Sequence, residues 1–167
     1  MKILKDELIE MYGFLSYDSY DLLTNEFRKL TLEFGEEKTA KGCYEYSKHT
    51  PDLLYLLAIS GNKESKKYLK LCLENISYGD EITMIALGFI ALELEEGYDL
   101  IKKLLNKYYE VDYPTNLEDI YAYLIDVIHI SPRALKIVED IENDKYGDAS
   151  FTISYVEEKK RRLSERK

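Results

Sequence analysis

A pattern recurs along this chain every 34 residues. Leu53-Leu54-x-Leu56-Leu57-Ala58 is echoed by Leu87-Gly88-x-Ile90-Ala91-Leu92, and again by Tyr121-Ala122-x-Leu124-Ile125-Asp126. Upstream, Leu22-Leu23 falls in phase with Leu56-Leu57. A fixed period of this size marks stacked helix pairs, because one pair alone cannot bury its apolar face. The expected fold is all-α, with stacked antiparallel helical hairpins and about nine or ten helices. Two arrangements stay open, an α-solenoid-like stack and an irregular helical bundle. The first helix of each pair repeats well. In the second, Leu69, Leu104 and Val138 align only after a one-residue slip, and Leu73 answers Tyr108 but then Glu142.

Local punctuation agrees with helices throughout. Residues 3–15 place Leu4, Leu8, Met11 and Leu15 on one stripe. Ser16 or Asp18 is a candidate cap for the next helix, which Gly35 should end. A helix over 36–48 is weakened by Gly42. Thr50-Pro51-Asp52 reads as a capped start for 53–60, Gly61-Asn62 as a turn, and Asn62 as a cap for 63–76. Residues 81–95 form the most apolar helix, expected at the centre, with Glu96-Gly97 breaking it before 98–109. Thr115-x-x-Glu118 has the form of a capping box, and Ser131-Pro132 repeats the device of cap plus proline for 133–143. No proline interrupts a helix. Residues 151–155 alternate apolar and polar as a strand does, but have no partner strand, so a final helix is expected there. The domain reading is one helical domain over 1–150, repeat-like over about 18–144, followed by a basic terminal helix or tail over 151–167.

Thr50-Pro51 with Ala58-x-x-Gly61-x-x-Glu64 resembles the Thr-Pro, Ala, Gly, Glu run of an ankyrin repeat. The spacing is two residues longer than in that family, and the family's Leu-His is missing. The 34-residue period is similar to that of tetratricopeptide repeats, without their Trp, Gly-Tyr and Ala-Phe marks in register. HEAT-like hairpins make fewer sequence demands. The resemblance implies a scaffold for binding partners, and fixes no functional residue.

The chemistry carried by the side chains points the same way. No nucleotide-binding glycine loop, nucleophile elbow or zinc-protease motif is present. Cys43 and Cys72 are 29 positions apart, too far for a redox pair, and read as buried structural thiols. No cofactor and no metal is expected. The N-terminal Lys2, Lys5, Asp6 and Glu7 interrupt any secretory core, and no apolar run spans a membrane, so a cytoplasmic protein is expected.

Net charge is −9 and uneven. Residues 79–144 carry 15 acidic and 5 basic side chains, a net of −10, whereas 145–167 carry 7 basic and 4 acidic. Such an acidic block disfavours nucleic acid and attracts a basic protein. The expected function is therefore a non-enzymatic protein-protein interaction module, in its narrower form an acidic immunity protein or antitoxin blocking a basic partner. Candidate contact residues are Glu93, Glu95, Glu96, Asp99, Glu110, Asp112, Glu118 and Asp119, with Tyr98, Tyr109 and Tyr113 as aromatic anchors. Two other functions compete. Asp126-x-x-His129 with Glu93-x-x-Glu96 could serve a metal-binding bundle or an enzyme. Lys159, Lys160, Arg161, Arg162, Arg166 and Lys167 could serve a nucleic-acid regulator. Cys43 with His49 lacks any third group to orient it as a nucleophile and base.

Overall fold

In the computed structural model the structure describes residues 3–12, 20–76, 79–107 and 116–165. Among these residues the fold is all-helical, with no strand. The helices are α1 (Leu4–Tyr12), α2 (Tyr20–Phe34), α3 (Glu36–Tyr46), α4 (Leu54–Ile59), α5 (Ser65–Leu73), α6 (Gly79–Ala91), α7 (Glu95–Lys107), α8 (Leu117–Leu124), α9 (Pro132–Glu142) and α10 (Val156–Ser164). Two 3-10 segments, Ile125–Val127 and Ser150–Tyr155, complete the order. No described helix is long and apolar enough to cross a membrane.

The most apolar helix does sit at the centre. In α6 every residue from Ile85 to Ile90 is buried, so the helix has neighbours all round. It touches α4, α5, α7, α8 and the segment Ile125–Val127. Successive helices touch, α2 with α3, α4 with α5, α6 with α7 and α8 with α9, and so do helices one step further apart, α1 with α3, α3 with α5, α4 with α6 and α6 with α8.

Two glycines permit the closest of these approaches. A Cβ on Gly97 would lie 2.7 Å from the Ala86 carbonyl oxygen and from the Ile90 amide nitrogen, so α7 crosses α6 nearly backbone to backbone. A Cβ on Gly88 would meet Leu69 Cδ1 at 2.5 Å and Ala58 Cβ at 3.4 Å. Gly97 therefore belongs to the interior of α7, and does not break a helix as its sequence setting suggested. The break falls earlier, at Leu92–Leu94. There Glu93 takes a left-handed φ of 60°, and the Leu94 amide donates to the Phe89 carbonyl at 2.9 Å.

Other boundaries follow from their caps. Gly35, at φ 88°, ends α2 and opens α3. Asn62 Oδ1 accepts from the Glu64 amide at 3.0 Å and the Ser65 amide at 3.3 Å, the cap expected for this helix. Ser131 accepts from the Ala134 amide at 3.0 Å with Pro132 at the first helical position. Thr50 behaves differently: its hydroxyl donates back to the Ser47 carbonyl at 2.9 Å, and α4 begins only at Leu54. The expected capping box gives way to Asn116, which accepts from the Asp119 amide at 2.8 Å. Ser16, Asp18, Pro114 and Thr115 lie outside the described residues.

Residues 150–155 form a 3-10 segment. Phe151 and Tyr155 both pack on Tyr121, at ring separations of 5.8 and 5.5 Å. This shared contact at a helical spacing accounts for apolar positions that resembled a strand. From there α10 runs back to α2, where Arg162 meets Asp21 across 141 positions of sequence.

Candidate functional site

Among the described residues Arg162 is the largest fully buried side chain, at 0% exposure. Its guanidinium lies over the Tyr20 ring at 3.7 Å, and Nη1 donates to Asp21 Oδ1 at 2.5 Å. Nε is 2.8 Å from Glu158 Oε1, at an angle too poor for a directed hydrogen bond. Nη2 is 3.7 Å from Asp126 Oδ1. Arg161 beside it pairs with Asp21, Glu158 and Glu165. A buried charge needs such partners, since isolated it would cost several kcal/mol.

Asp126 is the acidic counterpart, 5% exposed within Ile125–Val127. The Tyr20 hydroxyl donates to its backbone carbonyl at 3.0 Å. Its carboxylate Oδ1 is buried with no hydrogen-bond donor. Burial pushes its pKa up to about 7; Arg162 opposes this, and Glu158 and Asp21 reinforce it. At Asp21 and Glu158 burial also pushes upward, but the arginines outweigh it and hold both carboxyls below the usual range. Burial and then Arg162 push His129 down, and its Nδ1 is likewise buried without a hydrogen-bond partner.

Asp126 also faces a second feature. A cleft of about 380 Å³ runs between α2, α4, α6 and α8. Leu23, Leu56, Met84 and Ala122 give it apolar walls, Tyr20, Tyr55 and Tyr123 add rings, and Asp52, Asp119 and Asp126 add carboxylates. Tyr55 and Tyr123 meet edge to face, at 6.3 Å and 83°. Charge here is of one sign. Burial and then Asp52 and Asp80 push Glu81 up, and burial and then Asp80 and Glu118 push Asp119 up. The Tyr123 hydroxyl is pushed up to about 12 by burial and by Asp80, Asp119, Asp126 and Asp52.

The acidic residues singled out from sequence have separate fates. Glu93 is exposed on the α6–α7 turn, and Asp99 is exposed on α7. Glu95 is held by both terminal nitrogens of Arg133, at 2.7 and 2.9 Å. Glu96 lies 3.7 Å from Lys70, and Glu118 accepts from the Tyr155 hydroxyl at 3.2 Å. Of the described members of the set, Asp119 alone lines the cleft. Tyr98 differs from the exposed anchor expected. It is 6% exposed, with Arg133 3.7 Å over its ring and its oxygen 2.6 Å from Ser131 Oγ. Tyr109, Glu110, Asp112 and Tyr113 lie outside the described residues.

The competing constellations are not assembled. Among the described residues no group of three or more His, Cys, Asp or Glu side chains is disposed to hold a metal. Asp126 faces Arg162, while Glu96 faces Lys70. Cys43 is buried with its pKa pushed up by burial, and His49 stacks on Tyr44 at 4.5 Å. The basic end is internally paired over its described part: Lys159 with Glu142, Lys160 with Glu157, and Arg161 and Arg162 as above.

Tyr20, Asp21 and Glu158 carried no signal as site residues in the sequence, nor did Asp52, Tyr55, Met84 and Tyr123, and Arg162 stood out only as part of the basic end. Glu158 could have been found, because it stands three and four residues before Arg161 and Arg162 on one helix face. The others are joined only by tertiary contact. Comparison with protein-family models, with curated proteins and with solved structures found no match.

Proposed function

We propose that this chain is a non-enzymatic interaction module of paired-helix type that binds a basic protein through the acidic side of α4, α6 and α8. The observation that supports this is the like-charge crowding at the cleft. Asp52, Asp119 and Asp126 all line it, and Asp119 is pushed upward by burial and then by Asp80 and Glu118, whereas Lys159, Arg161 and Arg162 are engaged at α10. A cationic surface placed over the cleft would relieve that repulsion and speed encounter. An immunity protein or antitoxin blocking a basic toxin is the narrower form of the same reading. The paired helices would act as a rigid scaffold for this face.

The test is affinity capture from the source cells, followed by reconstitution with the purified partner and stopped-flow association. A basic partner is expected, with an association rate that falls tenfold or more, by an order-of-magnitude estimate, between about 0.05 and about 0.5 M salt. A neutral or acidic partner, or a rate indifferent to salt, overturns the reading.

A further inference from the structure

We propose that the cleft between α2, α4, α6 and α8 is a socket for a single arginine side chain presented by the partner. This rests on the reading of the chain as a binder of a basic protein.

The chemistry is already displayed twice inside the molecule. Arg162 and Arg133 each lie 3.7 Å over a tyrosine ring, Tyr20 and Tyr98, with carboxylates at the guanidinium edge. A guanidinium is flat and weakly hydrated, so it stacks on rings and presents its N–H groups to carboxylates at the same time. The cleft repeats both elements. Tyr55 and Tyr123 stand nearly perpendicular and form an aromatic corner. Asp52 and Asp119 add carboxylates to the lining of the same cleft.

A second, independent observation points to a missing donor. Asp126 also lines this cleft, and its Oδ1 is buried without a hydrogen-bond donor: its ion-pair partner Arg162 Nη2, itself without a hydrogen-bond partner, stands off at 3.7 Å. An orphaned buried acceptor is unusual and calls for a partner. A volume of about 380 Å³ is at the small end of ligand sites, ample for one long side chain. Leu23, Leu56 and Met84 would line the methylene stem.

The experiment uses the full chain labelled at methionine methyls and tyrosine rings, titrated with N-acetyl-arginine amide in NMR. The neutral isostere N-acetyl-citrulline amide and N-acetyl-lysine amide are titrated in parallel. Saturable shifts of Met84 and Tyr123 are expected with arginine, weaker ones with lysine, and none with citrulline. Asp119→Asn should weaken arginine binding about threefold to fivefold, the scale of one partly exposed ion pair. Glu93→Gln, on the far turn, should leave it unchanged. Citrulline binding as well as arginine, lysine binding better, or an unaltered titration in a folded Asp119→Asn variant overturns the socket. The two readings fail separately. A basic partner that binds Asp119→Asn and Tyr123→Leu as tightly as the native chain leaves the proposed function standing and removes the socket.

Discussion

Replacing Arg162 by Met keeps most of the side-chain volume and removes only the charge and its donors. The consequence is set by Asp126. Its carboxyl is raised to about 7 even with the guanidinium 3.7 Å away. From an unfolded value near 4, that interval at about 1.4 kcal/mol per pH step means ionised Asp126 costs the native chain about 4 kcal/mol. The folded state holds this proton more tightly than the unfolded one. The contribution of Asp126 to stability therefore falls as pH rises from about 4 to about 7, and is regained on acidification. Without Arg162 the carboxyl moves further up, so the variant suffers most where Asp126 must ionise. At pH 8, one step above the native value, the further rise can add at most about 1.4 kcal/mol, so the expected loss is about 2–3 kcal/mol, or roughly 5–10 °C in Tm. At pH 5 Asp126 is protonated in both proteins. The loss should then shrink to about 1–2 kcal/mol, from the Tyr20 stacking and the Asp21 and Glu158 contacts.

The assay is urea unfolding of four proteins at both pH values: native, Arg162→Met, Asp126→Asn and the double variant. The double variant should recover most of the loss at pH 8. His129 acts in the opposite direction, since its lowered pKa makes acidification below about 6.5 unfavourable to the folded state. Differences between variants at one pH must therefore be read, and not the native slope alone. Equal loss at pH 5 and pH 8, or a double variant no more stable than Arg162→Met, would refute the reasoning.

Three further outcomes follow from packing and caps. Gly97→Ala should cost about 2–3 kcal/mol despite the better helix propensity of alanine, because its Cβ meets backbone atoms of α6 at 2.7 Å that cannot yield. Gly88→Ala, whose closest obstacle is the tip of Leu69, should cost about half as much, and the two urea midpoints distinguish them. Ser131→Ala removes the α9 cap and the partner of the Tyr98 oxygen together, so thermal unfolding should show a loss of about 2 kcal/mol; a change below about 0.5 kcal/mol would contradict that double role. Cys43 and Cys72 are both buried and their thiols are raised by burial, Cys72 to about 12, so a thiol reagent should label neither in the native chain and both in denaturant; rapid native labelling would contradict the packing.

The helices whose starts were legible are those capped from within a few residues. Asn62 and Ser131 each bond an amide two or three positions ahead, so sequence alone contains both partners. Misreadings arose where a locally plausible residue answers to something distant. Thr50 precedes a proline as a cap should, yet its hydroxyl turns back to Ser47. Gly97 looks like a helix breaker, yet it is small because α6 passes beside it. Over 151–155 the alternation also allowed a strand, and the helix expected there is a 3-10 segment whose Phe151 and Tyr155 share Tyr121 as a neighbour. Each local pattern permitted two structures, and a tertiary contact chose between them.

Charge was the least legible property, because ion pairs obey distance in space. The block 79–144 is acidic along the chain, but its members do not share one condition. Glu95 is neutralised by Arg133, 38 positions away, and Glu96 faces Lys70. Over its described part, the basic run after residue 158, which looked available for a partner, answers Asp21, Glu142 and Glu157 instead. Asp119, named from sequence together with the α7 acids, is pushed upward by burial and then by Asp80 and Glu118, as Glu81 is by burial and then by Asp52 and Asp80. A cation arriving from outside gains least at Glu95, because there it must displace a two-pronged arginine contact. It gains most where it separates like charges. Substitution of Asp119 is for this reason a sharper probe of partner binding than substitution of any acid on α7.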